Sequence, residues 1–185
     1  MNRPDWPNPY RLLAHPAFIL ASAALMVIAY SCMTHGFARH ALDHILAFQL
    51  SFTPARALRA IAEWGLPGVQ AYMASMWLDF IFPLGYGLFI SGLLARTLIR
   101  GGEQANARTL RLAALPWTAV GCDYLENVLH LWMLSRGWPS EWLPLLAASI
   151  AAAIKWGIMA FVILALLATW GRRLIERFFP MASRP

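Results

Sequence analysis

Long apolar stretches alternate with short polar connections along the chain, and the apolar stretches exceed the length of ordinary core helices. Four of them, residues 17–34, 69–94, 112–135 and 143–170, reach or approach the ~20 helical residues that cross a bilayer. In lipid only helices and closed barrels satisfy their own backbone hydrogen bonds. No strand-like alternation runs through these stretches. The pattern therefore predicts an all-α polytopic membrane protein, four transmembrane helices in one domain covering residues 1–185.

The connections are structured as well. Residues 1–16 carry four prolines, and Pro16 suits the first turn of the first helix. Between the first two spans, "ARHALDHILAFQL" sets Ala41, Leu42, Ile45, Leu46 and Phe48 on a helical period. In "TPARALRAIAEWG", Thr53 reads as an N-cap, Pro54 as the first helical residue and Gly65 as a stop. Two short helices on the outer face are expected, an interfacial pair packed on the bundle in the simpler reading and a lid in the other. "RGGEQANAR" and "RGWPSEWLP" read as turns, with Trp138 and Trp142 at the outer headgroup level and Trp170 at the inner one.

Composition sharpens this picture. The chain is 59% hydrophobic and only 13% charged, where a soluble domain holds about a quarter charged residues. The net charge is +6, and its arginines are unevenly placed. Arg3 and Arg11 precede the first span, Arg96, Arg100, Arg108 and Arg111 join the second to the third, and Arg172, Arg173, Arg177 and Arg184 follow the fourth. The other two connections hold only Arg39, Arg56, Arg59 and Arg136. The positive-inside rule then puts both termini in the cytoplasm of a cell inner membrane. The basic charge reads as topology and contact with membrane lipids, not as a nucleic-acid site. The first span is too long for a signal-peptide core and lacks a cleavage site, so it is expected to be retained. Cys32 and Cys122 form no metal or redox spacing and read as small packing residues.

The candidate chemistry lies in "GCDYLENVLH", residues 121–130. Asp123, Glu126, Asn127 and His130 are spaced i, i+3, i+4 and i+7, on one helix face. Asp79, Pro83 and Tyr86 share a face of the second span, and Lys155, the sole lysine, stands in the fourth. Counted from the cytoplasmic ends at 1.5 Å per residue, Asp79, Glu126, Asn127 and Lys155 all lie about 21–22 Å up, and Asp123 about 16 Å. An isolated charge at the bilayer centre costs about 2.5–3.5 kcal/mol, so these groups are expected to face inward and pair. One lysine among two or three carboxylates leaves an excess of negative charge, to be relieved by protonation or by a cation. Pro83 should also free the carbonyl of Asp79, at the same level. Gly85 and Gly92, seven apart, allow close approach of another helix.

The stretch "DFIFPLGYGLF" resembles the acid–proline–tyrosine pattern of the EXPERA family, which includes emopamil-binding sterol isomerase and sterol-binding relatives. That resemblance implies a lipid cavity in which Asp79 is the family's acid. The first span lacks the carboxylate the family uses, and "DYLEN" and Lys155 have no counterpart there. The "D…P…Y", "D-x-x-E-N" and lone-lysine pattern also resembles uncharacterised bacterial four-helix membrane proteins.

The reading that follows is a bundle around a cavity for a lipid-like or isoprenoid molecule. Asp79, Glu126, Asp123 and Lys155 form the candidate proton-transfer set, with Asn127, Tyr86, Trp77, Trp156 and His130 as candidate ligand-binding residues. His130 is placed near the outer boundary, as a wet interfacial histidine or a ligand contact. No nucleophile elbow, zinc motif or phosphate loop is present, and no metal or cofactor is assigned. The His40/His44 pair, with His35 in the same loop, leaves haem or metal binding as a minor alternative. Three further readings compete: a proton- or cation-coupled transporter acting as an oligomer such as a homodimer, an accessory subunit of a membrane complex, and a polar network that only holds the bundle together.

Overall fold

A computed structural model describes residues 6–37, 45–136 and 141–178. Its regular elements are helices throughout: α1 (Asn8–Leu13), α2 (Pro16–Phe37), α3 (Ile45–Gln49), α4 (Pro54–Leu78), α5 (Phe82–Arg100), α6 (Ala107–Ser135) and α7 (Trp142–Phe178). Local chemistry explains the boundaries. Proline opens α2 and α4, and the extended Thr53 precedes Pro54, although its hydroxyl makes no capping bond. Gly65 adopts φ 61°, which interrupts the helical path of α4 and makes it two segments end to end. Asn106 caps α6 by accepting from the backbone N–H groups of Arg108 and Thr109, while the Thr109 hydroxyl bonds back to the Asn106 N–H.

Among the described residues, three helices are long and apolar enough to cross a membrane: α2, α5 and α7. The 37 residues of α7 span about 55 Å, so it overshoots a ~30 Å hydrocarbon core and carries Arg172, Arg173 and Arg177 beyond it. α6 has the length, 29 residues, but is not among the three, and it bears the polar run. The stretch 69–94, read from sequence as one span, is divided between α4 and α5 by a break at Asp79–Ile81. Pro83 has no N–H to offer the Asp79 carbonyl, so the helical ladder cannot continue through that turn.

The helices pack in a chain of neighbours: α2 on α5, α5 on α6, and α6 on α7. Close approach of α2 and α5 depends on glycine. A Cβ at Gly85 would lie 2.8 Å from the Met26 Cα, and one at Gly92 2.9 Å from Ile19 Cγ1 of α2 and 2.7 Å from the carbonyl oxygen of Leu13 at the end of α1. On α7, the buried small residues Ala148, Ala151 and Ala152 stand on the face that also carries Lys155. The largest apolar core joins α3, α4, α6 and α7 around Phe48, Ile61, Met76, Met133 and Leu145, all 2% exposed or less. Phe48 is fully buried against Trp64, Tyr72 and His130, so α3 plugs the bundle with a side chain instead of lying flat on it. His40, His44 and Trp138 lie outside the described residues.

Candidate functional site

The face expected on α6 is real: Asp123, Glu126, Asn127 and His130 are each 3% exposed or less. The Lys155 ammonium from α7 meets two of them. Its Nζ lies 2.9 Å from Asp123 Oδ1, as hydrogen bond and ion pair, and 2.6 Å from Glu126 Oε2, as an ion pair alone. Tyr86 of α5 donates its hydroxyl to the other Asp123 oxygen at 3.0 Å. Asp123 is thus held from two helices at once. A full turn of rise separates Asp123 from Glu126 only partly, and the flexible lysine stem reaches both.

The same five residues "DYLEN" also hold the broken helix. Pro83 frees the Asp79 carbonyl, and Asn127 Nδ2 donates to it at 3.3 Å. The next carbonyl, that of Phe80, accepts the Tyr124 hydroxyl at 2.9 Å. The run therefore divides by face: Asp123 and Glu126 toward α7, Tyr124 and Asn127 toward the α4–α5 break, and Leu125 outward, half-exposed. Tyr124 is a member of the site that sequence reasoning missed. Its only signal was the adjacency to two freed carbonyls, which requires knowing that α6 lies beside the break.

Next to this cluster lies a cavity of about 770 Å³, flanked by α2, α5 and α7. Asp79, Tyr86, Asp123 and Lys155 line it, as do the polar side chains of Thr34, Gln49 and Tyr72. Apolar side chains such as Met26, Phe82, Phe89 and Met159 form most of the remaining wall. Asp79, at the end of α4, has no cation within ion-pair distance among the described residues. Ser75, one turn before it, also reaches the cavity, its hydroxyl donating to the Tyr72 carbonyl.

The sequence-derived candidates separate in this geometry. Asp79, Asp123, Tyr86, Lys155 and Trp156 line the cavity. The Trp156 ring lies 5.4 Å from Lys155 Nζ, within cation–π range, and its N–H donates to Gln49 at 3.2 Å. Glu126 and Asn127 do not line it; they are sealed behind the lysine and the helix break. Trp77 is 69% exposed and packs beside Phe80 on the outer surface, so it is no cavity residue. Tyr72, Ser75, Met76 and Asp79 share the cavity-facing side of this helix, and at about 100° per residue Trp77 falls on the opposite side. His130 is not interfacial: it is fully buried, its ring 4.6 Å from that of Phe48, with Nδ1 3.2 Å from the Tyr72 hydroxyl and 3.9 Å from Glu126 Oε1. The short α3 helix covers the α6 end that sequence reading left open to solvent. His35 is exposed, and among the described residues no three His, Cys, Asp or Glu side chains converge as a metal-binding set.

No family model matches the chain, and neither a curated protein nor a solved structure matches it.

Proposed function

We propose that this protein is a four-span protein of a bacterial inner membrane whose cavity binds a lipid-like or isoprenoid molecule and moves a proton on it. The observation that carries the reading is the cavity itself: a largely apolar hollow whose wall carries two carboxylates, Asp79 and Asp123, the Tyr86 hydroxyl and an ion-paired lysine. Pockets for small molecules combine this kind of apolar lining with a few converging polar groups. Two of the three residues that carry the EXPERA resemblance, Asp79 and Tyr86, stand on that wall.

The two cavity carboxylates have unlike surroundings, the arrangement that lets one act as acid and the other as base. Asp123 accepts hydrogen bonds from Lys155 and Tyr86, which suits a proton acceptor. Asp79, with no cation beside it, suits the donor. Glu126, outside the cavity, balances Lys155 from behind. Isomerisation of a double bond fits this pair: Asp79 protonates one alkene carbon, the positive charge forms on the other, and the carbon beyond that one gives up a proton to Asp123, so the double bond moves by one position. Trp156 and Lys155 border the same surface and would hold the polar end of the ligand.

Lipid extraction tests the reading. The purified protein is expected to release one amphiphile of defined mass on mass spectrometry, and Asp79→Asn and Asp123→Asn should retain it while losing its conversion. Trp156→Ala should lower its occupancy, and Trp77→Ala should leave it unchanged. A chain that carries only bulk membrane lipid, the same in every variant, would refute the reading.

A second reading, proton-coupled transport by an oligomer, is favoured by one observation: the helix break at Asp79 lies at the polar level, as in the discontinuous helices of transporters. It requires proton flux into liposomes that disappears in Asp79→Asn.

A further inference from the structure

A second hollow, of about 490 Å³, opens where α5, α6 and α7 meet, at the arginine-rich end of the bundle. Its upper wall is apolar, formed by Leu94, Leu112, Phe161 and Leu166, and Leu166 separates it from the main cavity, which that residue also lines. Its rim holds Arg108, Arg172 and Arg173 against Glu103 and Glu176, a net charge of +1 from three arginines and two glutamates.

The three arginines differ. Arg173 crosses to α5 and donates to the Thr97 carbonyl at 3.0 Å, and Trp170 donates to the Thr97 hydroxyl at 3.1 Å. Gly101 makes the crossing possible, since a Cβ there would lie 2.6 Å from Arg173 Nη2. Arg173 therefore braces the hollow. Arg108 and Arg172 have no side-chain hydrogen bond and no ion pair among the described residues, and neither glutamate lies within ion-pair distance of them. Two unneutralised guanidinium groups thus stand at the mouth of an apolar slot.

We propose that this slot binds an anionic glycerophospholipid, with its phosphate on Arg108 and Arg172 and one acyl chain between α5, α6 and α7. Guanidinium groups suit a phosphodiester, and basic pockets between membrane helices on the cytoplasmic side take anionic headgroups. The apolar wall assigns the phosphate to a lipid, because a free anion has no use for it. The net positive rim assigns it to an anionic lipid over a zwitterionic one. The proposal rests on the membrane reading of the chain but not on the ligand or chemistry of the main cavity.

Native mass spectrometry in an uncharged detergent tests it, with dioleoyl phosphatidylglycerol and dioleoyl phosphatidylcholine as probes and inorganic phosphate as competitor. Phosphatidylglycerol is expected to bind at least tenfold more tightly than phosphatidylcholine, and millimolar phosphate should not displace it. The double variant Arg108→Gln/Arg172→Gln should bind phosphatidylglycerol roughly 10- to 30-fold more weakly. Arg108→Lys/Arg172→Lys should keep the preference. Equal binding of the two lipids by the unaltered protein overturns the proposal however the variants fold. Displacement by phosphate, or full affinity in the glutamine variant, overturns it as well.

Discussion

Lys155 shows how far one side chain determines this site. It is 5% exposed and answers two carboxylates, Asp123 and Glu126, whose own exposure is 3% and 0%. Removing one member of a buried ion pair leaves uncompensated charge and costs about 3–5 kcal/mol. Lys155→Met is therefore expected to lower the thermal unfolding midpoint in detergent sharply. Adding Asp123→Asn and Glu126→Gln to the same chain should restore much of the loss, since burying a neutral set is far cheaper. A triple variant no more stable than the single one would contradict this account of the triad. The spacing i, i+3, i+4, i+7 was enough to place Asp123, Glu126, Asn127 and His130 on one inward face. It could not sort them by neighbour. Trp77 and Trp156, each one or two residues from a cluster charge, looked equivalent in sequence, yet one faces outward and the other borders the cavity.

At the scale of the helices, proline and glycine carry the information. Pro83 marked the break, and the Asp79 carbonyl it frees is taken up by Asn127 as hydrogen-bond satisfaction in a membrane interior demands. Gly65, read as a stop, does interrupt the helix, but the chain re-enters the helical path immediately, so α4 continues to Leu78. Gly85 governs the spacing of α2 and α5, while Gly157 on α7 has open space around it. Gly85→Ala should destabilise by about 1–3 kcal/mol, because the obstructing atoms are Met26 backbone. Gly157→Ala should be neutral or stabilising by up to about 1 kcal/mol, as in any exposed helix interior. Melting curves of the two variants decide, and equal losses would show that α2 and α5 do not meet as described.

For the whole molecule, the arginine-rich ends and the apolar middles define an axis. α7 ends in Arg172, Arg173 and Arg177, and the α5–α6 connection lies at that same end, through the Arg173–Thr97 bond. The proposed orientation, with both termini cytoplasmic, is tested by fusion: alkaline phosphatase fused to the C-terminus should be inactive, and the same enzyme fused after Thr53 should be active. The opposite result would invert the proposed orientation. The sequence by itself determined the helical class, the long apolar segments, the polar face of α6 and the Asp79 carbonyl that Pro83 leaves free. These follow from periodicity, length and backbone chemistry, which act over a few residues at a time. Only the tertiary structure decided that Glu126 is sealed away while Asp79 and Asp123 share a cavity, that His130 is buried under Phe48, and that Tyr124 holds the Phe80 carbonyl. Those facts depend on which helices become neighbours and how each is rotated about its axis. Hydrophobic pattern fixes that rotation weakly in a helix apolar on nearly every side.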